Sequence, residues 1–431
     1  MSLTLILIFF VLMLLGVPLA LALAVGLVTT ILIYGIPLDV LAQTMMSSMN
    51  SFLLVAVPLF VLAGNVMSGG GISDRIFNGA SVLFGRFRGG LGQVNVVGSA
   101  IFGGISGSSV ADVVSLGKIE IKAMVDHGYP RPYGAAMTMV TSILSSVIPP
   151  SILMIIGASA AGVSVGGALA GGFGPSVVFI AALMIMNYVI SKKNSYGDIT
   201  RTPFKKALRV VIVGMPAMGG PLVILFGLFG GLFTPTEAAG VAVLYSLLVG
   251  VLLYRDMRPR EFPRMLIDSG IMTGTILFIA MVASTSSYIF VIDGLPAKVS
   301  AWMLGITDDP RLILLLMAVI LLIIGALMDI TAALLLTAPV LMPTAVAAGV
   351  DPIHFVVFLV AALAMGLVTP PVGVALFATS FVSRLPVERI VKAAIPHYVV
   401  LVLAILVLAL FPDLIIWPAQ WLTGYIPAAA P

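Results

Sequence analysis

The sequence contains no cysteine in 431 residues, which excludes a disulfide framework, a thiolate zinc site and a cysteine-held iron–sulfur cluster. Its three histidines, at positions 127, 354 and 397, lack metal-ligand spacing, so haem-based electron transfer across a membrane is poorly supported. Charge is scarce: 9% of residues are charged, against about a quarter in soluble domains. No GxxxxGK[ST] loop occurs, which argues against direct use of ATP. An enzyme could draw only on serine, aspartate or glutamate here, and no recognisable base is paired with them. The opening MSLTLILIFF has neither a basic n-region nor a small-residue cleavage site, and is expected to stay as a membrane segment.

What is present is apolar. Hydrophobic residues make up 61% of the chain and the mean hydropathy is +1.22. Segments able to cross a hydrocarbon core, about 20 residues each, recur with short polar gaps. The expectation is an all-α polytopic membrane protein. The pI near 9.3 needs no nucleic acid, because cytoplasmic loops of membrane proteins collect lysine and arginine.

The same rule orients the chain. KKNSYGDITRTPFKK from Lys192 and RDMRPREFPR from Arg255 to Arg264 should be cytoplasmic. Residues 210–254 then cross twice, with GGLFTPTEAAG near the outer turn, and one span over about 265–290 puts Asp293, Lys298, Asp308 and Asp309 outside. The 69–92 loop and the 118–131 stretch fall inside. This threading places 19 of the 21 lysines and arginines inside, all but Lys298 and Arg311. The N-terminus is expected outside, although the first two apolar segments are each short for a full span.

Two segments do not read as simple spans. Residues 91–125 hold two short apolar halves around GGISGSS, yet Arg86, Arg88, Lys118, Lys122 and Arg131 on either side want one face of the membrane. A re-entrant hairpin satisfies both demands. Residues 311–346 repeat the pattern around GALMDITA with both ends outside. An offset of 221 positions pairs Gly104 with Gly325, Gly128 with Gly349, and Pro149-Pro150 with Pro370-Pro371. Each hairpin is followed by a helix broken at a Pro-Pro pair, in SSVIPPSI and GLVTPPVG. Interrupted helices at matching places in two oppositely oriented halves are the signature of an inverted-topology repeat.

Backbone that leaves the helical ladder at membrane depth lines a cavity or is buried in protein. Glycine permits the tight turn at a tip. Freed carbonyls and serine hydroxyls can there replace the hydration shell of a small cation, while half-helix N-termini favour an anion. Such a site suits cation-coupled uptake of an organic acid.

Several residues carry two readings. Gly103 and Gly107 form a GxxxG packing pair as well as part of a tip. Asp329 lies in a long apolar run, where a carboxylate is costly and a functional role is the default, and it is also placed to cap the following helix. Glu237 in TPTEAAG matches a capping box and is also a candidate for a transport role. Asp112, one turn after the first tip, is either a partner of the site or a structural polar contact. Lys118, Glu120 and Lys122 read as the wet base of the hairpin, the three histidines as membrane-boundary residues, and Trp302, Trp417 and Trp421 as an outer aromatic belt.

The stretches VPLFVLAGNVMSGGGI, GGISGSSVADVVSLGKIEIKAM, IPPSI, GGLFTPTEAAG and GLVTPPVG run through nearly the whole chain. Together they resemble the large membrane subunit of the TRAP (tripartite ATP-independent periplasmic) transporters, within the wider ion-transporter superfamily. The resemblance implies an elevator-type transporter of the bacterial inner membrane, coupled to sodium. It also implies two partners: a small four-helix membrane subunit and a soluble periplasmic binding protein that delivers an organic anion. Residues 1–90 and 191–310 would supply scaffold helices, and 91–190 and 311–431 the transport domain, with breaks around 146–151 and 369–373.

By the family pattern, one sodium site would use Ser106, Gly107 and Ser108 with backbone near Ser146 and Pro149. A second would use Gly325, Met328 and Asp329 with Thr369 and Pro370. Substrate would lie near Ser108, Ser109, Ser151 and Asp329. The serine-plus-aspartate combination looks nearer to the sugar-acid and sialic-acid branch than to the dicarboxylate branch. A stand-alone ion-coupled permease of the same superfamily is the alternative, and a channel is less suited to re-entrant tips.

Overall fold

Inside hydrocarbon every backbone N–H and C=O must be satisfied within the protein, and a helix does this within one segment. Accordingly, the computed structural model contains helices and no strand among the residues it describes, which are 1–49, 55–69, 71–197, 203–257 and 260–427. Gly70 and residues 198–202 and 258–259 fall outside these residues, as do the side chains of Ile105, Phe204 and Lys206. Seven described helices are long and apolar enough to cross a membrane, or up to nine if each of two bent pairs counts as one span.

The two halves repeat one plan. In the first, Gly90–Ser106 turns at Gly107-Ser108 into Ser109–Ser115 and Gly117–Asp126. Arg131–Thr141 and Leu144–Val147 follow, then a break, then Ile152–Ala161 bent by 49° from the preceding segment. In the second, Pro310–Leu327 turns at Met328-Asp329 into Ile330–Ala347, and Pro352–Gly366 breaks before Val374–Ser383. Both breaks hold a cis Pro-Pro peptide, Pro149-Pro150 and Pro370-Pro371. Phe173–Asn194 and Val387–Leu410 close the halves and pack on each other.

The offset of 221 also extends to the helices that precede each hairpin. The stretch from Leu38–Met49 to Ala56–Gly69 corresponds to Phe262–Ile292, and Ile72–Phe84 to Leu295–Leu304. Packing is reciprocal: Ala56–Gly69 lies on Pro235–Leu247, and Phe262–Ile292 lies on Leu19–Tyr34. The hairpins break this equivalence. The first hairpin turns its first arm to Ala56–Gly69 and Ile72–Phe84, whereas the second turns its second arm, Ile330–Ala347, to Phe262–Ile292 and Leu295–Leu304.

Glycine lets each hairpin press on its broken helix. A Cβ on Gly103 would stand 2.6 Å from the Ser145 Cα, and one on Gly366 would stand 2.5 Å from the Gly325 Cα. Ser145 and Gly366 are equivalent under the repeat, so the close approach occurs at the same place in both halves. The packing reading of Gly103 therefore holds, while Gly107, at φ +59°, ends the first arm as a left-handed cap.

The N-terminal helices Ser2–Leu14 and Leu19–Tyr34 form an antiparallel pair joined by a 3.0 Å Thr4–Tyr34 hydroxyl contact. The Met1 amine lies 3.5 Å from Asp293, so the N-terminus shares the side of the Asp293–Asp309 connection. Trp302, Trp417 and Trp421 are all exposed, the last two with stacked rings. Two sequence expectations fail. His397 is fully buried well inside Val387–Leu410 against the Tyr133 ring, and Glu120 is 1% exposed instead of marking a wet hairpin base. Helix faces explain the second: Lys118 and Lys122 point outward, and Glu120 between them points in.

Candidate functional site

At the first tip, Ser108 is extended and its hydroxyl accepts from the Ala111 N–H at 3.3 Å, capping the second arm. Ser109 donates to the Ser142 carbonyl at 2.7 Å and stands 2.7 Å from the Ser146 hydroxyl. Ser151 donates to the Ser146 carbonyl at 2.6 Å and accepts from the Met154 N–H, capping Ile152–Ala161. A chain of serines thus ties the first tip to the first break.

At the second tip, Asp329 caps Ile330–Ala347 by accepting from the Thr331 N–H at 2.8 Å through Oδ1. The capping reading therefore holds. Among the described residues Oδ2 makes no hydrogen bond, so the charge is not consumed by the cap. Here backbone replaces serine: the Ala326 carbonyl accepts from the N–H groups of Val372 and Gly373, at 3.0 and 3.2 Å. The Thr369 hydroxyl turns back to the Met365 carbonyl.

Both tips open on one cavity of about 280 Å³. The first half lines it with Gly107, Ser108, Ser109 and Ser146, and with Ile152, Leu153 and Ile156 beyond the break. The second half contributes Asp329, Ile330, Thr331 and Leu367. Met272, Thr275, Ile276 and Ile279 of Phe262–Ile292 close one flank. Three half-helices begin here, capped by Ser108, Ser151 and Asp329, and their first turns offer partial positive charge beside hydroxyls, carbonyls and one carboxylate. Such a wall can hold a small anion and a hard cation together. No group of three His, Asp or Glu side chains forms a metal centre among the described residues.

The structure brings five of the sequence-derived candidates to the cavity wall: Gly107, Ser108, Ser109, Ser146 and Asp329. Ser106, Ser151 and Pro149 are buried behind it, and Gly325 lies in the hairpin contact with Gly366. Met328 faces a separate apolar cavity beside Phe9, Phe290 and Trp302, and Pro370 is exposed at the second break. Asp112 does not reach the cavity; it is buried under the tip and accepts from the Ser145 hydroxyl at 3.1 Å. Glu237 is exposed and completes a capping box with Thr234, which gives it a structural part at the start of its helix.

Residues from Phe262–Ile292 did not stand out in the sequence, where this helix reads as one more span. The signal was the small and polar run SGIMTGT, residues 269–275, in which a methyl group on Gly270 or Gly274 would meet nothing within 4 Å.

Residues 6–414 match the family described as Tripartite ATP-independent periplasmic transporter, DctM component. The chain belongs to this family. It is 34% identical to the sialic acid TRAP transporter large permease protein of Vibrio cholerae over 95% of this chain and 96% of that one. It is also 34% identical to the C4-dicarboxylate TRAP transporter large permease protein of Pseudomonas aeruginosa, over 89% of this chain and 90% of that one. The fold is similar to that of the YdaH transporter of Alcanivorax borkumensis, with a TM-score of 0.62 at 16% identity, covering 89% and 90% of the two chains. This TRAP large permease subunit is a multi-pass protein of the bacterial inner membrane that serves transport of organic acids and is not an enzyme.

Proposed function

We propose that this subunit imports an organic carboxylate by sodium symport through alternating access. The observation that carries the reading is the convergence of two oppositely oriented hairpin tips on one cavity, lined by Ser108, Ser109 and Ser146 from the first half and by Asp329, with one carboxylate oxygen outside its cap, from the second. One sodium ion would be held by Ser106, Gly107 and Ser108 with backbone near Ser146 and Pro149. A second would be held by Gly325, Met328 and Asp329 with Thr369 and Pro370. The substrate carboxylate would lie between them near Ser108, Ser109 and Asp329, with Ser151 fixing the helix start behind it. Sodium here is cargo, and it screens the substrate anion from Asp329.

In this reading residues 91–190 and 311–431 move as one body against the helices of residues 1–90 and 191–310, in an elevator motion. Phe262–Ile292 is then the fixed wall past which the site slides. A small four-helix membrane subunit enlarges that wall, and a soluble periplasmic protein delivers the substrate. Relatives named for sialic acid and for C4-dicarboxylates match at the same 34% identity, so identity does not choose between them. The serine-rich first tip and acidic second tip favour a hydroxylated sugar acid.

Proteoliposomes holding this chain, its small membrane partner and the binding protein test the reading. Labelled organic acids are offered with and without an inward sodium gradient. Uptake that needs both sodium and the binding protein is expected; uptake by this chain alone, or without sodium, would overturn it.

A further inference from the structure

Glu120 sits in Gly117–Asp126, the second arm of the first hairpin, and is 1% exposed. Its Oε2 lies within hydrogen-bonding distance of the Thr138 hydroxyl oxygen, at 3.1 Å. Its Oε1 is buried without a hydrogen-bond partner and faces Gly98, on which a Cβ would stand 3.4 Å from it. No lysine, arginine or histidine pairs with Glu120 among the described residues. Among the described residues Glu120 belongs to no group of three His, Asp or Glu side chains that could hold a metal ion. A buried, unpaired carboxylate is strongly penalised, and the ordinary remedy is to bind a proton. A protonated Oε2 can donate to Thr138, which leaves Oε1 as a neutral carbonyl oxygen, a far smaller unsatisfied group than half of a carboxylate.

Thr138 is not isolated. Its hydroxyl accepts from the Asn95 amide at 2.8 Å, the Thr141 hydroxyl donates to Asn95 Oδ1, and the Ser99 hydroxyl donates to Thr141 at 3.1 Å. The Ser145 hydroxyl stands between the Ser99 carbonyl, at 3.4 Å, and Asp112 Oδ2, at 3.1 Å, and Ser145 is the neighbour of Ser146 in the tip cluster. A polar chain thus runs between the first hairpin and the segments Arg131–Thr141 and Leu144–Val147, from the level of Glu120 to that of the tip.

We propose that Glu120 is a proton-binding site of the first hairpin, loaded in this conformation and linked through Thr138, Asn95, Thr141 and Ser99 to the serine cluster at the tip. Loading and unloading reverse the donor at the Glu120–Thr138 hydrogen bond; the Thr138 oxygen accepts from the Asn95 amide in both states, so the change reaches Asn95 through the position and charge of that oxygen and not as a proton. The titratable groups on the packed elements are few. On its own arm Lys118, Lys122 and Asp126 are exposed; Asp112, buried and with its own Oδ1 unpartnered, lies two turns toward the tip; Arg131, exposed, and Tyr133, buried, stand on Arg131–Thr141. Arg384, exposed, follows Val374–Ser383, which itself carries no charge, and Gly90–Ser106 carries none. The proton site stands apart from the transport reading, while its linkage to uptake rests on that reading.

Infrared spectroscopy of the full chain in lipid, wild type against Glu120→Gln, reads the carbonyl stretch of a protonated carboxylic acid. A band present in the wild type at neutral pH, absent from the variant and lost as pH rises is expected. Sodium-driven uptake should fall over the same pH range in the wild type and stay flat in Glu120→Gln. No band difference at neutral pH means an ionised Glu120 and overturns the site. A titrating band with coincident uptake profiles overturns the linkage alone. If Glu120→Gln does not fold, Thr138→Val is used, and a band that titrates as in the wild type overturns the site.

Discussion

The hydroxyl oxygens of Ser109 and Ser146 stand 2.7 Å apart, bonding the start of one hairpin arm to a broken helix 37 residues away in the chain. Ser109 spends its proton on the Ser142 carbonyl, so Ser146 is the donor to Ser109. Ser109→Ala or Ser146→Ala should each lower stability by about 1–3 kcal/mol, because a buried partner is left unsatisfied. The double variant should lose less than the two singles added together, as contacting residues do. Thermal melting of the four proteins checks this, and additive losses would show that the pair is not a unit.

Asp329 combines a cap with a free charge, and two substitutions separate them. Asparagine keeps a side-chain oxygen for the Thr331 N–H, so Asp329→Asn should melt close to wild type while sodium-driven uptake drops about tenfold or more, as expected for a lost charge-assisted contact. Asp329→Ala should lose uptake and also about 1 kcal/mol of stability. Full uptake by Asp329→Asn would show that the charge has no part in transport.

Close packing of hairpin on broken helix predicts a contrast among glycines. Gly103→Ala and Gly366→Ala force a methyl group onto backbone and should destabilise by about 1–3 kcal/mol. Gly270→Ala, inside a helix and with nothing within 4 Å, should melt at or slightly above the wild type. The midpoints of thermal unfolding decide.

Sodium removal gives a prediction that does not require the substrate. A ligand that binds only the folded protein raises its melting temperature with concentration. Sodium should therefore raise the midpoint of the wild type above that in equal potassium, and Ser108→Ala should shrink the difference. Identical midpoints in the two salts would remove sodium from the site.

Glu237 is expected to matter for one helix end and not for uptake. In Glu237→Ala the Thr234 amide loses its 2.8 Å acceptor and should exchange hydrogen faster, with the initial uptake rate unchanged. A lower uptake rate with unchanged exchange would give Glu237 the transport role that its capping geometry does not provide.

Much of the architecture was legible before any coordinates. Basic loops, short apolar halves around GGISGSS and GALMDITA, and paired prolines at one offset pointed to two opposed hairpins and two broken helices, and all four are present. These features are local: glycine at a tip, proline at a break and arginine at a membrane face act through their own backbone or solvation. The capping readings of Asp329 and Glu237 were legible for the same reason.

Depth and facing were not. Nothing in GKIEIKAM tells that Lys118 and Lys122 meet water while Glu120 is enclosed, because that depends on which face of the arm meets Arg131–Thr141. Ser108 and Ser151 both precede half-helices as caps, yet only Ser108 reaches the cavity. Phe262–Ile292 became a wall of the site only by lying against the second hairpin. Composition, spacing and charge determined that this chain is an inverted repeat of membrane helices with polar tips. Which polar groups face the cavity, and which are sealed beneath it, followed from the packing of segments hundreds of residues apart, since burial belongs to the assembled helices and not to any one stretch of chain.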